Sequence, residues 1–460
     1  MKKQLKASDV QSIEDAIALI EERDIQQVKV AATDIDGVLR GKYISREKFI
    51  STLRGGLGFC DVIFGWDSSD ELYSRDSITG WQTAFPDAEG HIDVRTCREL
   101  PLEENSVLFL LDFAAEEPHR QVCPRSLLKR VIAQGEAMGL SFSASAEFEF
   151  FLFNETPRSV REKDYRGLEN LTPDMFGYSV IRNSTHADFY HALMNLSREM
   201  GMAIEGIHTE TGPGVLEVAL DHDALLQAAD KAVLFKTFTK VLAQQHGMMA
   251  TFMAKYSNDY PGQSGHLHMS AQRDGEAVFY DPDQPDAISE TMRHFLGGQQ
   301  RLMPELLAMI APTTNAYTRL IPGFWAPTQA TWGVDNRTCA LRAITGSPTS
   351  QRVEYRVSAA DINPYIALAA AIGSGLWGIR NRIEPTEPIS GNAYEVNLPP
   401  EYHFPRDLHA AAQRLRGSEA AREIFGDVFV DHYAMTREHE ADEERKAITD
   451  WQLRRYFEII

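Results

Sequence analysis

Two carboxylates, Glu147 and Glu149, stand two residues apart in the stretch SFSASAEFEFFLF at residues 141–153. A strand sends successive side chains to opposite faces. Both glutamates therefore share a face with Ser141, Ser143 and Ser145, while Phe142, Ala144, Ala146, Phe148 and Phe150 form the other. Side chains two apart on a strand are separated by roughly 6.5–7 Å, which suits two metal ions side by side better than one ion held twice. Alone, the pattern also describes a half-buried strand with a solvated face. Three further segments share its design. In GHLHMS, residues 265–270, His266, His268 and Ser270 alternate with Leu267 and Met269. In QRVEYRVS, residues 351–358, Arg352, Glu354 and Arg356 alternate with Val353, Tyr355 and Val357. In EGIHTETGPGVLEVAL, residues 205–220, Glu210 and Glu217 flank a Gly-Pro-Gly turn, so a strand, a tight turn and a returning strand can aim both inward.

Five glutamates and a histidine gathered at one site require a cation. Two carboxylates 4 Å apart repel by about 4 kcal/mol at an effective dielectric of 20. An oxygen-rich set with one imidazole favours Mg²⁺ or Mn²⁺ over zinc. Arginines beside such carboxylates form a clamp for phosphoryl oxygens, as ATP chemistry requires. The segment AYTRLIPGFWAPTQATWGVDNRTCALRAI, residues 316–344, adds Arg319, Arg337 and Arg342 among turn formers and aromatics, a composition typical of loops that line sites.

These segments must be positioned by a larger frame. With 460 residues, two domains are expected. The N-terminal stretch through Glu22 reads as an amphipathic helix without the apolar core of a signal peptide. Residues 28–33 and 38–44 read as strands joined at Asp36-Gly37, residues 46–54 as a helix, and SVLFLLDF, residues 106–113, as a strand. Pro124 opens a helix that Gly139 ends. The boundary is expected near Glu116-Glu117-Pro118, giving domains 1–118 and 119–460. Residues 155–180 read as a surface loop, with helices at 186–201 and 222–246. The apolar run at 366–379 is too short to span a bilayer and reads as a buried helix opened by Asn363-Pro364. Beyond residue 405, charged amphipathic helices are expected to present solvated faces or subunit contacts. The predicted class is α+β, with an antiparallel sheet whose polar face lines a funnel and helices behind it.

A net charge of −20 argues against general nucleic-acid binding. The scattered Cys60, Cys97, Cys123 and Cys339 read as reduced thiols of a cytoplasmic protein. No segment is expected to enter a membrane.

The segments AEFEFFLF, ETGPGVLE, GHLHMS, RLIPGFWAP, DNRTCALR and RVEYRVSAADINPY, in that order, resemble the glutamine synthetase superfamily over roughly residues 120–370. The resemblance implies a small N-terminal β-grasp domain, a catalytic domain and a double-ring homo-oligomer, a dodecamer in many members. It implies Glu149, Glu210 and Glu217 as ligands of one Mg²⁺ or Mn²⁺ ion, and Glu147, His266 and Glu354 as ligands of another. Arg319 and Arg356, with Gly262, correspond to glutamate-binding positions. Arg337, Arg342 and Arg352 correspond to arginines that hold ATP or the transferred phosphoryl group, and His268 and Ser270 lie beside the nucleotide. The implied reaction phosphorylates the γ-carboxylate of L-glutamate from ATP, and an amine then displaces phosphate.

Departures from the pattern point to the acceptor. Ammonia-using members carry a glutamate where this chain has Trp325, and an asparagine where it has Pro261. An indole accepts no proton but can wall an apolar pocket or face a cation. The acidic residue that helps deprotonate ammonium has no clean counterpart; Asp67 is the candidate, then Asp61, with Phe64 and Trp66 nearby. The expected acceptor is accordingly an organic amine, in the manner of the glutamate–amine ligase branch. Ammonia and a non-catalytic structural role are the alternatives. No tyrosine for adenylylation is expected at Val396, although a slip of two residues reaches Tyr394. A rival motif, VAATDIDGVL at residues 30–39, resembles the nucleophile segment of haloacid-dehalogenase-type phosphatases, with Asp34 as nucleophile and Asp36 as acid.

Overall fold

The computed structural model describes residues 5–75, 77–114 and 117–460. Near the N-terminus, β1 (Gln27–Thr33) and β2 (Leu39–Ser45) pair antiparallel. Their turn depends on Gly37, at φ 83°, where an added Cβ would lie 3.0 Å from the Asn363 Cα. With β3 (Leu57–Cys60), β4 (Asp87–Glu99) and β5 (Val107–Phe113), they form a five-stranded sheet of order β2-β1-β5-β4-β3. The pair β1–β5 is parallel. The helix Arg46–Gly55 follows β2 as expected. The first α-helix is shorter than predicted: it spans Ile13–Glu22, where Ser12 and Asp15 form a capping box that fixes the start. Residues 1–4 and 116, the latter at the expected boundary, lie outside the described residues.

The second sheet is larger. Its strands are β6 (Ser141–Phe153), β7 (Ile204–Thr209), β8 (Val215–Leu220), β9 (Asp223–Ala224), β10 (Met249–Thr251), β11 (Gly265–Arg273), β12 (Glu276–Ala277), β13 (Trp332–Val334), β14 (Leu341–Ile344) and β15 (Arg352–Tyr355). The main path runs β13-β14-β15-β11-β6-β8-β7. The sheet is antiparallel except at one edge, where β13 and β14 are parallel, which departs from the expected all-antiparallel sheet. The loop between them is tied back by Asn336, whose amide donates to Ile389 O at 3.0 Å and Gly391 O at 2.8 Å.

Behind β6 the alternation produces an aromatic layer. Phe150 stacks on Phe252 with centroids 5.0 Å apart, and Phe148 stacks on Phe235 at 6.4 Å. Phe235 belongs to the helix Leu225–Gln245. The apolar run forms the buried helix Pro364–Asn381, capped by Asn363. Its Gly-Ser-Gly is a crossing point, since a Cβ on Gly375 would come within 2.1 Å of the Phe295 ring.

A buried arginine joins the small sheet to the helices that back the large one. Arg125 on the helix Pro124–Ala137 bonds Asp230 at 2.9 Å, Asp112 at 2.7 Å and Asp93 at 3.0 Å. Removing one partner of such a pair leaves an uncompensated charge and costs about 3–5 kcal/mol. A second junction is the hairpin turn: Asn363 Nδ2 donates to Asp34 O at 3.1 Å and Ile35 O at 3.2 Å. Of the C-terminal helices, one departs from expectation. In Asp427–Lys446 the charged residues Arg437, Glu438 and His439 are buried, because this face packs against the N-terminal sheet region, where Arg75 pairs with Glu438 and Asp36 with Arg437. Among the described residues, no helix is long and apolar enough to cross a membrane.

Candidate active site

Strand register assembles the polar face of the large sheet one neighbour at a time. His208 on β7 lies opposite Glu217 on β8, and Glu217 opposite Glu149 on β6. Glu147 lies opposite His266 on β11, His268 opposite Glu354 on β15, and Glu354 opposite Arg342 on β14. Every second residue of β6 from Phe142 to Phe150 is buried, while the intervening serines and glutamates keep some exposure. Glu210 sits at the β7–β8 turn, where its amide bonds Val215 O at 3.1 Å. The positive φ of Gly212 and Gly214, 146° and 73°, lets that turn close.

The carboxylates respond to one another. Burial, then the charges of Glu147, Glu149 and Glu210, push the Glu217 carboxyl up to about 10. Burial and Glu149 raise Glu210 as well. At the other end, burial opposes ionisation of Glu147, but hydrogen bonds and charge from His266 and His268 hold it well below the usual range. Burial likewise works against Glu354, which Arg356 and the two histidines bring down to about 2. The face thus has a crowded anionic half and a half already neutralised by cations.

His266 Nδ1 lies 2.9 Å from Glu147 Oε1 and 3.7 Å from Glu354 Oε1, while its Nε2 is buried without a hydrogen-bond partner. His268 Nε2 lies 3.7 Å from Glu147 Oε2, and ligand atoms of Glu147, His268 and Glu354 fall within 4.8 Å of one another. Both histidines therefore adjoin the same carboxylate pair. The backbone amide of Ser264 donates to Glu149 Oε2 at 2.6 Å, fixing that carboxylate.

The arginines occupy three settings. Arg342 bridges Glu354 at 2.9 Å and Asp335, with its Nε 2.9 Å from the Asp335 carboxylate. Arg352 donates to His268 Nδ1 at 3.3 Å and Ser350 O at 2.9 Å, and Arg356 pairs with Glu354. Arg319 is 1% exposed. Its guanidinium donates to Val357 O at 2.8 Å, Ser264 Oγ at 3.0 Å and Arg356 O at 3.2 Å, and burial lowers it to about 10. Gly262 lies against it: a Cβ there would sit 2.5 Å from Arg319 Cγ. Arg337 is exposed and lines a cavity of about 520 Å³ with Asp335, Asn336 and Gly391. Ser270 is half-buried opposite Ser143.

Other expected residues lie elsewhere. Within this chain Asp67 does not join the carboxylate face. Its Oδ1 accepts from the amides of Ser69 at 2.8 Å and Glu71 at 3.0 Å, and its Oδ2 lies 3.6 Å from His439 Nε2. Asp61 is fully buried against His119, 2.9 Å away, which removes it as a solvent-accessible base. Trp325, 57% exposed, stands in an exposed turn at φ 59°, and neighbouring Phe324 has the Lys255 ammonium 5.4 Å from its ring centre. Asp34 is no free nucleophile: Oδ1 accepts from the amides of Asp36 and Val38 at 3.0 and 2.9 Å, and Oδ2 from Arg40 at 2.8 Å.

Sequence reasoning missed Tyr178 and weighed Tyr394 only as an adenylylation position. The region 155–180, read as a surface loop, contains the short helix Pro157–Glu162 and then carries Tyr178 onto His208, ring centres 4.2 Å apart. Burial and the charges of Glu210 and Glu217 raise the Tyr178 hydroxyl, so its ring caps the anionic half. The half-buried Tyr394 has its hydroxyl buried without a partner, and burial raises it against the charges of Arg356 and Arg319. Only tertiary placement marks either residue; in the 155–180 region nothing in the sequence separates Tyr178 from Tyr165.

Residues 121–456 match the family described as glutamine synthetase, catalytic domain. The chain is 43% identical over 439 residues to type-1 glutamine synthetase 2 of Dictyostelium discoideum, covering 94% of this chain and 84% of that protein. It is 38% identical to the glutamate–isopropylamine ligase of Pseudomonas sp, covering 96% of this chain and 97% of the other. A 34% identity to the gamma-glutamylethanolamide synthetase GlnA4 of Streptomyces coelicolor covers 97% and 96%. Among solved structures, GmaS without ligand superposes with a TM-score of 0.83 at 24% identity, covering 96% of this chain and 99% of that one, a likeness of fold. The chain belongs to the glutamine synthetase family and is a ligase of its glutamate–amine or glutamate–ammonia class.

Proposed function

We propose that this enzyme joins the γ-carboxylate of L-glutamate to an organic amine, using ATP and a γ-glutamyl phosphate. The observation that carries the choice of acceptor is Trp325, an exposed, apolar, proton-inert side chain in the segment that leads on from Arg319. The glutamate–isopropylamine ligase and gamma-glutamylethanolamide synthetase among its relatives support the same reading. The name of the Dictyostelium relative favours ammonia as the second reading. The presence of all six expected ligands and all five arginines argues against a non-catalytic role.

The donor set fits two divalent cations of the magnesium or manganese type, because Glu217 cannot hold its charge among Glu147, Glu149 and Glu210 without positive charge nearby and oxygen donors predominate. Glu149, Glu210 and Glu217 would hold one. Glu147, His266 and Glu354 would hold the other. His266 is placed in this set because its Nδ1 lies 2.9 Å from Glu147 Oε1 and 3.7 Å from Glu354 Oε1, and His268 stands beside the same carboxylate pair. When bound, such ions neutralise charge on the transferring phosphoryl group.

The chain's own groups do the rest. Arg319 and Arg356, with the backbone at Gly262, orient glutamate. Arg337 and Arg342 stabilise the equatorial oxygens as the γ-phosphoryl group passes to the γ-carboxylate oxygen and ADP departs. Arg352, His268 and Ser270 hold the nucleotide. The amine nitrogen then attacks the acyl carbon, phosphate leaves, and the nitrogen loses a proton. Asp67, our candidate for receiving that proton, faces His439 in its own chain, so this role requires a neighbouring copy in a ring oligomer. We place the division between the N-terminal and catalytic domains near residue 118.

The test is phosphate release from ATP with L-glutamate and Mg²⁺ or Mn²⁺, comparing ammonia with a panel of amines. Turnover with an organic amine well above that with ammonia is expected. W325E should shift preference towards ammonia. Preference for ammonia in the unsubstituted enzyme would overturn the proposed acceptor.

A further inference from the structure

We propose that Arg437 is a positioning residue for glutamate recognition, coupling the β1–β2 turn to Arg319. The substrate named here rests on the reading of Arg319 as a glutamate-binding residue; the coupling rests on geometry. Arg437 is 2% exposed, and each of its nitrogens is engaged. Nη1 donates to Pro312 O at 2.8 Å, Nη2 to Asp36 Oδ1 at 2.5 Å, and Nε to Thr436 Oγ1 at 3.1 Å. One guanidinium thus joins the N-terminal hairpin to the segment that leads to Arg319.

That segment transmits position because it is short and pinned. Thr313, directly after Pro312, caps the helix Thr314–Arg319: its Oγ1 accepts from the Ala316 amide at 3.0 Å and donates to Asp361 Oδ2 at 2.7 Å. Asn315 is held at both ends of its amide by the backbone of Lys255, at 2.8 and 2.7 Å. Arg319 is the last residue of the same helix. Its guanidinium meets three acceptors fixed to the large sheet, and its stem has Gly262 against it. A six-residue helix held at its cap and ending in a buried cation leaves little slack. Releasing Pro312 should therefore move or loosen Arg319 rather than be absorbed by the loop.

Asp36 is the point to perturb, because it lies in the turn and touches none of the reacting groups. D36N keeps the shape and removes the carboxylate charge that faces Arg437. The expected result is a rise of about fivefold or more in the KM for glutamate, the scale of an ordinary coupling between sites, with the KM for ATP within twofold. Amide hydrogen exchange over residues 312–319 should quicken. E423Q, which breaks an exposed pair with Arg380, should change neither. Should D36N fail to fold, R437K serves instead: a lysine has one nitrogen for the three acceptors that the guanidinium serves with three, and the same pattern is expected. Wild-type exchange over 312–319, or a parallel rise of both KM values, overturns the coupling. Absence of any glutamate-dependent turnover in the unsubstituted enzyme overturns the functional reading and the named substrate, whatever the exchange shows.

Discussion

Replacing Gly262 with alanine is the sharpest perturbation of the glutamate end of the site. The added Cβ would lie 2.5 Å from Arg319 Cγ and 2.7 Å from Ala254 O. Neither neighbour is free to yield. Ala254 O accepts from the Gln263 amide at 2.7 Å, and Arg319 is held by three acceptors. Overpacking of this kind costs about 1–3 kcal/mol. If about 2 kcal/mol falls on the bound geometry of Arg319, the KM for glutamate rises roughly thirtyfold, since every 1.4 kcal/mol is tenfold. The assay is glutamate saturation of phosphate release at fixed ATP and amine, with thermal melting alongside. G55A is the control, because nothing lies within 4 Å of its new Cβ. A G262A enzyme with the unsubstituted glutamate KM and melting temperature would refute the claim that this glycine is required by Arg319.

Three other outcomes are expected. Stripping divalent ions with a chelator should lower the melting temperature, and Mg²⁺ or Mn²⁺ should restore it; E149Q and E217Q should each shrink that recovery, followed by thermal melts across a metal titration. Lys236 is half-buried, and the enclosure of its ammonium, with Lys240 nearby, depresses it to about 7. The unfolded chain then binds more protons than the folded one between about 7 and the ordinary 10.5, so stability from this group grows as pH rises through that window. Melts at pH 7 and pH 9 should show K236M lacking that gain. Finally, W325E should raise turnover with ammonia relative to the preferred amine, as measured by phosphate release; an unchanged ratio would remove Trp325 as the selector.

What could be read in advance followed periodicity. The strands carrying Glu147, His266 and Glu354 announce themselves because a two-residue repeat and a buried opposite face are local properties. The Asp36-Gly37 turn and the Asn363-Pro364 helix start are local in the same way. The parallel pairing of β13 and β14 was not legible, since it depends on Asn336 reaching residues 389 and 391. Tyr178 lay in a polar stretch without periodicity, and only its stack on His208 gives it a role. The helix Asp427–Lys446 misled for the opposite reason. Its charges follow an exposed pattern, yet Arg437 is buried because its counter-charge, Asp36, comes from the far end of the chain.

The hydrogen bonds from Asn363 to the turn at Asp34 and Ile35 also set an order of events during synthesis. The donor follows its acceptor by 329 residues. At about 5–20 residues per second, the ribosome needs roughly 15–65 s to supply that partner. The hairpin has ample time to close first, since such elements form in about 1–10 μs. Until residue 363 emerges, the turn must remain intact with its docking surface uncovered. The junction at Arg125 is complete once Asp230 has emerged, so it is the turn's own docking surface that stays uncovered through most of translation, a long interval in which chaperone binding has its opportunity.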